Sequence, residues 1–132
     1  MGALEGITVA LPGDGVAVVS FTDEHDLATS NALSDLLDGL VRENHVVVAD
    51  FSEALFVDSS TLRVLVGAHK LARERDAGFT VQLEDGCAVK RTFELSGLLN
   101  AISWASSREE ALDGSQSATT DGSSGGSDRV AT

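Results

Sequence analysis

The sequence predicts an α/β domain built on a mixed central β-sheet with packed helices, its elements in the order β-β-α-β-α-β-α-β-α. Three observations lead there. Two short apolar runs flank Pro12-Gly13-Asp14-Gly15 near the start, which is the chemistry of a hairpin turn. Strand-like runs then alternate with segments whose leucines recur at helical spacing. The run Val46-Val47-Val48-Ala49 lacks polar alternation, which suits a strand buried on both faces. The hairpin supplies an antiparallel pair, and right-handed crossovers supply the parallel ones.

Each element has its own signal. Ile7 to Ala10 and Val16 to Phe21 are the hairpin strands, followed by a polar loop from Thr22 to Asp26. Thr29 to Arg42 is a helix, because Leu33, Leu36, Leu37 and Leu40 fall on one face; Thr29 or Ser30 is its expected N-cap. Asp50 to Asp58 is expected to cross from the third strand to the next helix, anchored in the core by Leu55, Phe56 and Val57. Ser59 or Ser60 opens that helix, which runs to about Ala77 with Leu62, Leu65, Val66, His69 and Ala72 on one face. Gly78 is its expected C′ residue. Phe79 to Leu83 is a fourth strand, and Glu84-Asp85-Gly86 a turn. A short helix from Ala88 to Leu95 stops near Ser96-Gly97. Ala101 to Trp104 is a last strand with Trp104 in the core. Ser107 caps a final helix from Arg108 to Leu112.

The folded part is therefore one domain, residues 1–112. Residues 113–132 are mostly Gly, Ser, Thr and Asp, with Val130 the one large apolar residue, and are expected to form a flexible tail. A domain of this size buries roughly two-thirds of the surface its unfolded chain exposes, enough for a core without disulfides or metals. Cys87 is the one cysteine, so no intramolecular disulfide is available, and no Cys/His cluster has zinc spacing. The opening residues lack the basic region and apolar run of a signal peptide. No stretch reaches the ~18 apolar residues of a membrane span. A soluble cytoplasmic protein is expected.

Charge narrows the partners. Nine basic residues stand against 21 acidic ones, a net charge of −12. Such a surface repels nucleic-acid phosphates and anionic lipid, so neither nucleic acid nor membrane is an expected partner.

The most informative residues are Asp58-Ser59-Ser60-Thr61. All four types favour a helix N-terminus, where the first N–H groups lack partners. Alone they describe ordinary capping. A helix start also tolerates an anion, so a phosphate there leaves the fold standing while changing the surface. Asp23-Glu24-His25-Asp26 reads as an acidic contact loop rather than a metal site; no metal and no cofactor is expected. Lys70, Arg73, Glu74 and Arg75 form a solvated helix face. A hydrolase using Ser59 or Ser60 with His25 or His69 as base is a poor reading, because no Gly-x-Ser-x-Gly elbow exists.

The order of three segments carries a family resemblance. Val46 to Ser52 followed by Phe56-Val57-Asp58-Ser59-Ser60-Thr61-Leu62 resembles the STAS domain of bacterial anti-sigma-factor antagonists. Phe21 to Thr29 is similar to that family's loop after the second strand, and Leu95-Ser96-Gly97-Leu98 to its Leu-x-Gly-Leu element. The resemblance covers about residues 5–112. It implies a non-enzymatic switch. The unphosphorylated chain would bind an anti-sigma factor with serine kinase activity and so free a sigma factor. Phosphorylation of Ser60 would break the complex, and a phosphatase would restore it. Ser59 and Thr61 are the lesser acceptor candidates. Asp23, Glu24, Asp26, Asp58, Ser59, Thr61 and Arg63 are the expected partner-binding residues, and the chain would act as a monomer. Two positions depart from the pattern: Thr61 and Asp23 stand where the family often has Gly. Thr61 adds a competing hydroxyl, and Asp23 adds negative charge near the site. The same fold also implies an alternative, a scaffold or transport-associated subunit without a phospho-switch.

Overall fold

A computed structural model describes residues 6–113. Of the tail expected over 113–132, Asp113 instead ends the last helix, and the rest lies outside the described residues. Strands β1 (Ile7–Gly13) and β2 (Val16–His25) precede helix α1 (Leu27–Glu43); β3 (Val46–Val57) precedes α2 (Ser59–Glu74). Then come β4 (Gly78–Gln82), α3 (Lys90–Ser96), a 3-10 turn (Leu98–Asn100), β5 (Ser103–Ala105) and helix α4 over residues 108–113. The sheet order is β1-β2-β3-β4-β5. β1 is antiparallel to β2, and every later pair is parallel. The expected order and mixed sheet are thus both present.

The hairpin turns at Asp14-Gly15, where Gly15 takes φ +75°. Its carbonyl accepts from the amides of His45 (2.7 Å) and Val46 (3.0 Å), tying the turn to the start of β3. Pro12, which has no N–H to give, sits on the edge strand inside a register shift.

Parity along β3 sorts the core. Val47, Ala49 and Phe51 face α1 and α2, joining Val19 and Phe21 of β2, Leu33, Leu37 and Val41 of α1, and Leu65, Ala68 and Ala72 of α2. Phe21 and Phe51 stack at 4.0 Å between centroids, and Phe93 of α3 leans on Phe51 at 5.5 Å. Val46 and Val48 face the other side, where Val18, Ala105 and Ala111 of α4 make a smaller cluster. Asp50 shares that parity and is pinned there: Arg108 donates to Asp50 Oδ2 at 2.8 Å and to Gln82 Oε1 at 2.7 Å. This clamp seats α4 on the sheet.

Several boundaries differ from the sequence expectation. Thr22 to His25 are strand, not loop, and β3 continues through Ser52 to Val57 instead of crossing over. The two strands pair in parallel as far as His25 opposite Val57, across two bulges, one of which holds Asp23 at φ +62°. Bulges break the period-2 pattern, so the extension leaves no alternation to read. Consequently Leu55 and Phe56 do not anchor the core: they are 64% and 50% exposed, while Val57 is buried. α1 begins at Leu27 with Asp26 as N-cap, two residues before the expected start. α2 ends at Glu74 in a Schellman arrangement, with Asp76 at φ +57° and Ala77 N–H bonding Ala72 O at 2.8 Å; Gly78 already belongs to β4. Trp104 lies on the surface beneath Lys90, whose Nζ sits 5.0 Å from the ring centroid.

Candidate functional site

The parallel strands β2 and β3 end side by side, and each runs straight into a helix. Asp26 follows β2 and Asp58 follows β3, so the two residues stand at adjacent strand ends where α1 and α2 begin. The Asp58 amide donates to His25 O at 3.2 Å, which continues the strand pairing into the caps.

Asp26 makes a simple cap: its Oδ1 accepts the Ala28 amide at 3.0 Å. Asp58 does more. Its Oδ1 accepts the Ser60 amide (3.0 Å), the Thr61 amide (3.1 Å) and the Ser60 hydroxyl (2.6 Å). Its Oδ2 accepts the Leu27 amide at 3.1 Å, across to the start of α1. The carboxylate is therefore held in its ionised form. The Ser60 hydroxyl does most to lower its pKa below the usual 3.8; burial pulls the other way, and the amides of Thr61, Leu27 and Ser60 add to the lowering.

The expected site residues separate on this frame. Ser60 is nearly buried, 9% exposed, with its hydroxyl turned onto Asp58. Ser59 and Arg63 are exposed. Asp23, Glu24 and Asp26 are exposed along the end of β2 and its junction with α1. Thr61 departs from expectation. Its side chain is fully buried and its Oγ1 has no hydrogen-bond partner, so it offers a hydroxyl neither to an incoming enzyme nor to a partner surface. Its bulk is spent on packing under the first turn of α2.

His25 is also inside. Its Nε2 contacts Thr22 O at 2.7 Å, its ring stands edge-on to Phe21 at 5.2 Å, and Nδ1 is buried without a partner. A Cβ on Gly6 would come within 2.6 Å of Thr22 O and 3.3 Å of the His25 ring, so the chain passes over this corner only because residue 6 is glycine at φ +73°. With its imidazole packed inward, His25 does not join Asp23, Glu24 and Asp26 in a ligand set. Among the described residues no three His, Cys, Asp or Glu side chains gather to hold a metal ion. His69, the other imidazole considered as a base, is half-buried on α2, its pKa lowered by burial and then by Arg73.

Sequence reasoning missed three apolar residues at this end. Leu27, beside Asp26, is 72% exposed, and Leu55 and Phe56 lie just before Asp58 on the extended part of β3. Large apolar groups beside a carboxylate pair and a hydroxyl give the mixed apolar–polar chemistry of a contact surface. The signal was present, since Leu55 and Phe56 are adjacent and a strand cannot bury both neighbours on one face. A cavity of 190 Å³ lies at the far end of the sheet, beside Arg42, His45 and Arg75, away from all the expected site residues.

The sequence model of the STAS domain matches residues 10–111. The structure is similar to an anti-sigma factor antagonist from Mycobacterium paratuberculosis, with TM-score 0.71 and 29% identity, over 88% of this chain and 99% of that one. It shares its fold with the anti-sigma factor antagonist SpoIIAA in unphosphorylated form, with TM-score 0.67 and 17% identity over 81% and 93% of the two chains. It shares it also with the phosphorylated form of SpoIIAA, described as a Bacillus cell fate determinant, with TM-score 0.62 and 16% identity over 81% and 96%.

Proposed function

The chain belongs to the STAS domain family, and from that premise we propose that it is an anti-sigma-factor antagonist switched by phosphorylation of Ser60. Unphosphorylated, it binds an anti-sigma factor that is also a serine kinase, and so frees a sigma factor. It works in the cytoplasm as a single copy and catalyses nothing itself; a phosphatase resets it. The 29% identity to a relative described as an anti-sigma factor antagonist, over nearly the whole of both chains, supports the class.

One observation carries the switch. Ser60 opens α2 with 9% of its surface still exposed, and its Oγ lies 2.6 Å from Asp58 Oδ1. The carboxylate accepts the hydroxyl's hydrogen and leaves the oxygen lone pairs for an electrophile. To react, the side chain turns outward and gives up that hydrogen bond. Such a bond to a charged group is worth about 1.5–3 kcal/mol, which docking energy can supply. In the transfer, Oγ forms a bond to the terminal phosphorus of the kinase's ATP. The bond from that phosphorus to ADP breaks, and the hydroxyl proton leaves to a carboxylate base. The product carries about −1.5 to −2 charges beside Asp58. A partner pressed on Leu27, Phe56 and the start of α2 then meets repulsion and a buried charge, while the core beneath is untouched.

The test uses the full chain and the kinase recovered with it from a bacterial lysate. With ATP, label enters the wild type and not Ser60→Ala. Ser60→Ala binds the kinase whether or not ATP is present, and Ser60→Asp does not bind. Equal labelling of Ser60→Ala rules out Ser60 as the acceptor. Sedimentation as a large self-assembly would favour the scaffold role instead.

A further inference from the structure

We propose that Arg63 is the built-in counter-charge for a phosphate on Ser60, so that the modified chain neutralises its own switch group. This rests on Ser60 being the modified residue.

The need for a counter-charge follows from the cap. A phosphate at a helix start ordinarily takes the free amides of the first turn. Here three of those amides are already used: Ser60 and Thr61 give theirs to Asp58 Oδ1, and Leu62 gives its own to Asp58 O. The phosphate would instead arrive on an oxygen that now lies 2.6 Å from an ionised carboxylate. Asp26 adds a second carboxylate at the neighbouring helix start, and Glu24 a third along β2. The first two turns of α1 carry no charged residue at all. His25, the one titratable base near this end of β2, is buried with its Nε2 on Thr22 O.

Arg63 is the cation that helix spacing places beside Ser60. It is the only basic residue in the first two turns of α2. It follows Ser60 by three residues, so the two share a helix face with Cβ atoms about 5–6 Å apart. Side chains on a helix lean toward its N-terminus, which aims the arginine at the serine rather than away from it. Its side chain is exposed, and among the described residues it makes no ion pair or hydrogen bond. No existing bond must break for it to turn. A guanidinium presents paired donors that match two phosphate oxygens, which a lysine ammonium does not. In the unmodified chain the same arginine is free to meet the partner.

The test needs neither kinase nor partner. Phosphoserine is installed at position 60 of the full chain during translation, and the phosphate is titrated by phosphorus NMR. With Arg63 present, its second ionisation should fall at least about half a pH unit below that in Arg63→Gln. Arg63→Lys should recover part of the shift, and raised salt should shrink it. Superimposable titrations of the wild type and Arg63→Gln would overturn the proposal. Because Arg63 is exposed, the variants are expected to fold; matching amide spectra of their unphosphorylated forms check this. Kinase labelling at a residue other than 60 would defeat the phosphosite assignment while leaving the titration result intact, so the two failures are distinguishable.

Discussion

Asp58 Oδ2 lies 3.1 Å from the Leu27 amide, while Oδ1 of the same carboxylate holds the first turn of α2. One side chain therefore fastens the starts of both helices, and fixes the surface on which Ser60 is presented.

Removing that carboxylate should cost more than an ordinary cap. A single N-cap is worth about 1 kcal/mol; with the Leu27 amide also released, Asp58→Ala is expected to lose about 2 kcal/mol in urea unfolding. Asp58→Asn keeps one acceptor oxygen and should lose less. An unfolding midpoint for Asp58→Ala equal to wild type would contradict the double cap.

The same bond has a pH signature. The folded-state pKa of Asp58 lies below its usual 3.8. Its contribution is thus complete above the unfolded value and is lost as pH falls through the folded one. The acid limb of the stability curve should flatten in Asp58→Asn, and also in Ser60→Ala, whose missing hydroxyl is the main cause of the lowering.

His69 predicts a second limb nearer neutrality. Burial, with Arg73 beside it, holds its pKa below the usual 6.5. Folding favours the neutral ring, so stability is full above about pH 6.5 and declines as pH falls toward the folded value. His69→Gln removes this step. A pH-stability profile from 7.5 to 5 that is unchanged in the variant would count against it.

The back face tests how α4 is held. Asp50 is nearly buried and Arg108 about half so. Arg108→Ala leaves a largely desolvated carboxylate short of its partner, at a cost of about 2 kcal/mol once solvent screening is allowed for. Hydrogen exchange should quicken in residues 108–113 and not in α2. Uniform quickening would mean that the clamp serves the whole fold.

Phe56 should behave in the opposite way. Being half exposed, Phe56→Ser is expected to change stability by no more than about 0.5 kcal/mol. On the proposed function it should weaken kinase binding roughly tenfold or more, as loss of an aromatic contact does. Unaltered affinity, measured by titration calorimetry, would place the contact surface elsewhere.

By itself the sequence determined the order of elements and the mixed sheet, and it singled out Asp58 to Thr61 as the candidate site. Those rest on local physics: leucines at helical spacing in α1, the unbroken β-branched run of β3, and four capping residue types in a row at Asp58 to Thr61. Only tertiary structure decided what depends on neighbours distant in the chain. Pairing with β3 drew Thr22 to His25 into a strand, and the resulting bulges turned Phe56 outward and His25 inward. Packing sealed Thr61 completely while leaving Ser60 9% exposed, a difference that two adjacent hydroxyl residues do not announce. The Asp58–Leu27 and Asp50–Arg108 bonds span 31 and 58 residues. Such pairings are set by where the sheet brings chain ends together, which no local pattern encodes.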